Sequence, residues 1–157
     1  MGSTISILAT KKVNQEKILL DLTRAAFHCG YSFSLGRVEE KKLDEKTYLN
    51  PISFMIPPQK EGQEWLSFSF VPIQEQGLLA KEFQTFYLQN GERIYFNEIH
   101  YLAAADNVDS ELSFQLIYEY LKINKLHFVD IDFIIDWPLM QEIYESGYSE
   151  TWCWRKS

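Results

Sequence analysis

Residues 65–101 read WLSFSFVPIQEQGLLAKEFQTFYLQNGERIYFNEIHY, and this stretch decides the fold class. At its start every second residue is apolar. Leu66, Phe68 and Phe70 share one face, and Trp65, Ser67 and Ser69 share the other. That period of two marks a half-buried strand over 65–71. Pro72 ends it or marks a sheet edge. Farther on, Asn90-Gly91 separates 83–88 from 93–101, and both flanks are rich in aromatic and β-favouring residues. Asn-Gly suits a two-residue type I′ turn, because both central residues need positive φ. Such a loop places Phe86 opposite Tyr95 and Tyr87 opposite Ile94, each pair contributing roughly 0.2–1 kcal/mol.

Working outward, the N-terminal side adds strands and then a helix. Ile52 to Ile56 form a strand stopped by Pro57-Pro58, and 59–63 form a loop. Residues 31–35 alternate and predict another strand. The charge run 39–46 predicts a solvated loop or an exposed strand end. Before it, Ile18, Leu22, Ala25, Ala26 and Cys29 recur at three- and four-residue spacing, which predicts a helix over 15–29. Asn14 is placed to cap it and Gly30 to end it. Residues 3–9, with Ile5, Ile7 and Leu8, suit a short opening strand.

On the C-terminal side a second helix is expected after Ala103-Ala104-Ala105, capped by Asp109 or Ser110, with Ser113, Leu116, Ile117, Tyr120 and Leu121 facing inward. Residues 126–135 predict one strand with Val129, Ile131, Phe133 and Ile135 on one side. Asp136 then caps a short helix running through Pro138 to Tyr144 and ended by Gly147. Residues 148–155 alternate, with Trp152 and Trp154 on one face and Cys153 on the other. A meander of strands between helices predicts a single α+β domain over 1–157. Its mostly antiparallel sheet has about six to eight strands, with two main helices and one short helix on one face. A doubly wound fold would need regular strand–helix alternation, which the middle lacks.

Charge and composition narrow the function. Fifteen basic against 22 acidic residues give a net charge of −7, which argues against gripping nucleic acid or an anionic membrane. A hydrophobic share of 46% and a charged share of 24% belong to a folded chain. Two cysteines make neither a disulfide framework nor a four-thiolate zinc site. The start lacks the order of an export signal, so the expected location is cytoplasmic. No glycine-rich phosphate loop, nucleophile elbow or zinc spacing occurs, and no motif requires a cofactor. No residue is assigned as catalytic.

Three constellations remain. Asp130 and Asp132 would share a strand face with Asp136 nearby, a set able to hold a hard cation. The plainer reading is a solvent face and a helix cap. Glu98 and His100 would project together from the strand face of Phe96 and Leu102, as a base pair or a polar anchor. A structural histidine is the plainer reading. The third is the aromatic surplus. Aromatic residues make up 15% of the chain, and Trp65 and the Trp152/Trp154 pair exceed what one core face takes up. Tryptophans beside carboxylates suit a basic protein partner. The leading expectation is therefore a non-enzymatic protein-binding domain contacting its partner through Trp65, Trp152, Trp154, Asp130 and Asp132. Its small, acidic, cysteine-poor profile is similar to that of immunity proteins, antitoxins and inhibitors as a class. The alternatives are a small-molecule sensor anchored by Glu98 and His100, and a metal-dependent hydrolase using Asp130, Asp132 and Asp136.

Overall fold

The computed structural model describes residues 4–36, 38–43, 45–51, 53–77, 85–106 and 110–154. The chain runs β1 (Ile5–Ala9), α1 (Gln15–Cys29), β2 (Ser34–Leu35), β3 (Val38–Leu43), β4 (Lys46–Pro51), β5 (Ser53–Ile56) and β6 (Leu66–Phe70). It continues with β7 (Thr85–Tyr87), β8 (Arg93–Tyr95), β9 (His100–Ala105), α2 (Glu111–Ile123), β10 (Phe128–Asp130), β11 (Ile134–Ile135) and α3 (Trp137–Glu145). Seven strands form one antiparallel sheet in the order β11-β10-β1-β9-β6-β5-β2. Two small ribbons, β3–β4 and β7–β8, stand beside it.

Alternation sorts the two sheet faces. Ile5, Ile7, Leu66, Phe68, Phe54 and Val129 join the main core with Ile18 and Leu22 of α1, Leu116 and Tyr120 of α2, and Met140 of α3. The helices thus form one layer on one face, as the α+β reading requires. β9 departs from strict alternation. Its register against β1 slips between Ile7 and Leu8, so Leu102 and Ala103 are both buried in this core. The opposite face carries a smaller cluster of Leu8, Phe86, Ile99 and Ile134 beneath the β7–β8 ribbon. Beyond it lies a transverse row of Asp130, Ser6, Ala104, Ser69 and Ser53.

The first helix matches its sequence signals. The Asn14 side chain accepts from the Glu16 amide, and Gly30 closes the helix in the left-handed conformation at φ 74°. α1 is tied to α2 by a buried polar group. Asp21 is paired with Lys17 and accepts from Asn124 Nδ2 at 3.1 Å, and Lys17 donates to Asn124 Oδ1 at 2.9 Å. Nearby, the Tyr120 hydroxyl and His127 Nδ1 share a hydrogen bond of 2.9 Å. Burial, then the Lys17 charge, holds His127 down at about 4 against the opposing pull of Asp21.

Several sequence expectations are corrected. The Asn90-Gly91 hairpin pairs Phe86 with Ile94 and Tyr87 with Arg93, one residue off the two-residue register. Leu88 and Glu92 close a three-residue loop, with Gly91 at φ 88°. Residues 93–101 are two strands in different sheets, because the chain bends at 96–99. The second helix does follow Ala103 to Ala105, which end β9, and it starts after the Ser110 cap as expected. Asp109 lies outside the described residues. The stretch 126–135 folds back as the β10–β11 hairpin, so Asp130 and Asp132 do not share one strand face. The charge run enters the β3–β4 ribbon. The described part of 148–155 forms turns, not a strand, and buries Trp152 and Cys153 side by side. Among the described residues, no helix is long and apolar enough to cross a membrane.

Candidate functional site

The site is built from α3. Asp136 accepts from the Leu139 amide at 3.0 Å, and Pro138 sits in the first turn, where its missing N–H costs nothing. The nine residues of α3 then present two faces. Trp137, Met140 and Tyr144 point into the layer. Tyr144 stacks on Tyr118 at 3.6 Å between ring centroids and on Phe114 at 5.4 Å. Tyr118 also meets Trp137, and Phe114 meets Tyr148 and Trp152. This ladder accounts for much of the aromatic surplus, and Lys122 and Lys125 lie over its Tyr118 and Trp137 rings.

The outer face of α3 carries Leu139, Glu142, Ile143 and Ser146 at three- and four-residue spacing. These four line a hollow of about 690 Å³, walled opposite by Gln89, Thr151, Trp152 and Trp154. A second hollow of about 510 Å³ abuts it and shares Gln89 and Leu139. Its walls are Leu88, Ile94, Phe96, Phe128 and Ile134, with Asp136 at the helix end. The two form one groove that runs along α3 and turns past Leu139 and Asp136 toward the small cluster on the opposite sheet face. From Asp136 to Ser146 it spans about 15 Å at 1.5 Å per residue. Among the described residues its charged lining is Asp136 and Glu142, with no lysine or arginine. Arg155 and Lys156 follow Trp154 and lie outside the described residues.

The expected contact residues separate. Trp154 is 55% exposed and lines the larger hollow. Trp152 lines it too, but only 6% of its surface is exposed and its ring packs on Phe114. It therefore belongs to the core and cannot present a free ring to a partner. Trp65 is 52% exposed, on the serine side of β6. Asp130 lies opposite Ser6 on the sheet face away from the helices, where burial of Tyr101, then the Asp130 charge, raises the Tyr101 hydroxyl. Asp132 is exposed in the β10–β11 turn. Neither hollow of the groove includes Trp65, Asp130 or Asp132.

The other constellations are rearranged. His100 Nε2 donates to Glu98 Oε1 at 2.8 Å, so the expected pair is formed. Its surroundings differ from the expectation. The imidazole is 5% exposed, its buried Nδ1 has no hydrogen-bond partner among the described residues, and Gly77 lies so close that a Cβ there would stand 3.2 Å from the ring. Phe96 packs in the small cluster and Leu102 in the main core, so these residues do not share one face. Neither Glu98 nor His100 lines the groove. Next to them Gln76 is fully buried, and its side chain bonds both the N–H and the C=O of Val13. The imidazole thus packs at the end of the core. Among the described residues no three His, Cys, Asp or Glu side chains are grouped to hold a metal ion, so Asp130, Asp132 and Asp136 do not converge. Burial, with help from Glu119, pushes the Cys29 thiol up to about 12, the opposite of an activated nucleophile.

Sequence reasoning missed Leu139, Glu142, Ile143, Gln89, Phe96 and Phe128. The usable signal was the second stripe of α3, from Asp136 through Leu139 and Ile143 to Ser146. No protein-family model, curated protein or solved structure matches the chain.

Proposed function

We propose that this chain is a non-enzymatic, cytoplasmic protein-binding domain that grips its partner through the groove along α3. The supporting observation is the pair of abutting hollows, about 690 and 510 Å³, with the exposed Trp154 ring at the wall and carboxylates as the charged lining. An exposed tryptophan beside apolar depressions is the usual composition of an interface anchor. A net charge of −7 would speed encounter with a basic partner. A domain of this kind acts as an inhibitor, antitoxin or immunity protein does, by occluding a working surface of its target.

The test is affinity capture followed by reassembly from purified components. Trp154→Ala and Ile143→Arg should keep the parental circular dichroism spectrum and lose the partner. Equal capture by both folded variants would remove the groove from the interface. One observation also favours a second reading, the binding of a small molecule. The larger hollow falls within the roughly 300–1,000 Å³ typical of ligand sites. Its polar anchors would then be Gln89, Ser149 and Thr151, not Glu98 and His100. A thermal-shift screen against metabolites, repeated with Thr151→Val, separates this reading from the first.

A further inference from the structure

We propose that the groove along α3 receives an extended segment of about four to five residues, carrying one apolar side chain and one arginine two residues apart. The proposal rests on the reading of the groove as a partner site and specifies what enters it. The length is that of the α3 wall, the ~15 Å from Asp136 to Ser146, divided by ~3.3 Å per extended residue. The smaller hollow is walled by Ile94, Phe96, Phe128 and Ile134, which selects an aliphatic or aromatic side chain. Its carboxylate, Asp136, is already engaged by the Leu139 amide.

The larger hollow differs. Glu142 is exposed on the outer face of α3, and Trp154 stands on the same lining. A guanidinium can meet a carboxylate through paired N–H groups while lying flat on an indole, and an ammonium cannot do both. Gln89 and Leu139 form the boundary between the two hollows. Extended residues two apart project to the same side, about 7 Å from one another, and so reach across that boundary.

The test uses the full chain and arrays of acetylated, amidated hexapeptides. One set carries Leu, Phe or Met two residues before or after Arg. Twin sets replace Arg by Glu, replace Arg by Lys, or replace the apolar residue by Ser. Hits are measured by calorimetry against the parent protein, Glu142→Gln and Ile94→Ser, each checked for an unchanged urea midpoint. The expected result is binding of the Leu–Arg set, weakened about tenfold or more by Glu and less by Lys. Glu142→Gln should abolish the preference for Arg over Glu without abolishing binding. Ile94→Ser should weaken all apolar peptides alike.

If the Glu twins bind as well as the Arg set, the arginine assignment fails while the partner reading stands. If no peptide binds but Trp154→Ala still loses the purified partner, the extended segment is overturned and the reading again survives. Binding confined to helix-stabilised peptides, or a dimer of the chain dissolved by Ile143→Arg, also overturns it. If neither peptide nor protein depends on the groove, both fail together.

Discussion

The two faces of α3 contrast sharply over nine residues. The inner face, Trp137, Met140 and Tyr144, packs on rings of α2, with Met140 fully buried and the two rings half-buried. The outer face, Leu139, Glu142, Ile143 and Ser146, has the same helical spacing and faces an open groove. Leu139 and Ile143 also touch the core, so the groove floor is an outward continuation of the packed layer. The difference shows that apolar periodicity reports burial potential, while the neighbours decide whether it is used. Inside, α2 supplies Phe114 and Tyr118. Outside, among the described residues, the tip of the β7–β8 ribbon and the C-terminal turn wall the helix without covering it.

The largest expected effect is on the closed side. Phe114→Ala removes the ring that contacts Tyr144, Tyr148 and Trp152, and should cost about 3–5 kcal/mol in urea unfolding. Next comes pH. His127 is held neutral near the closed layer, with a native value of about 4 against an ordinary 6.5. As pH falls, the unfolded chain takes up this proton before the folded one does. Stability is therefore full above about 6.5 and declines toward pH 4, by up to about 3 kcal/mol from this group. Replacing His127 by Gln, which still offers an acceptor to Tyr120 but does not titrate, should flatten that part of the profile. Tyr144→Leu stays apolar but is smaller, losing two stacked contacts and the hydroxyl bond to Gln115, and should cost about 1–2 kcal/mol. On the open side, Trp154→Ala should change stability by no more than about 0.5 kcal/mol. A loss above about 2 kcal/mol there would mean that the two faces are not different in kind.

The sequence disclosed those parts of the fold in which local chemistry and tertiary contacts agree. Asn14 and Gly30 bound α1 because a cap and a left-handed terminus are local needs. Leu66, Phe68 and Phe70 alternate because β6 is buried on one side only. Alternation failed where strands bend. Residues 93–101 and 126–135 each read as one strand, yet each changes direction without a proline or glycine to mark the place. The hairpin register failed by one residue because Asn-Gly serves three-residue loops as well as two-residue ones. Trp152 and Cys153 are neighbours that both enter the main core, where a regular strand would send them to opposite faces and a turn does not. The groove was barely legible, since its walls come from four separate stretches around 88–96, 128–134, 136–146 and 149–154. Of the five expected contacts, Trp154 is the exposed one that reaches it.

The ends of the main sheet have a consequence for self-assembly. Its outer strands, β2 and β11, are two residues long. A neighbouring chain seeking to extend the sheet would find at most a couple of ladder positions on either side, too few to seed a fibril. The longer ribbon strand β3 carries Glu39, Glu40, Lys41 and Lys42, so parallel in-register stacking of its copies would crowd like charges. Extension of the main sheet by a second chain is therefore disfavoured at both ends, and a target approaching there would meet side chains and little backbone edge.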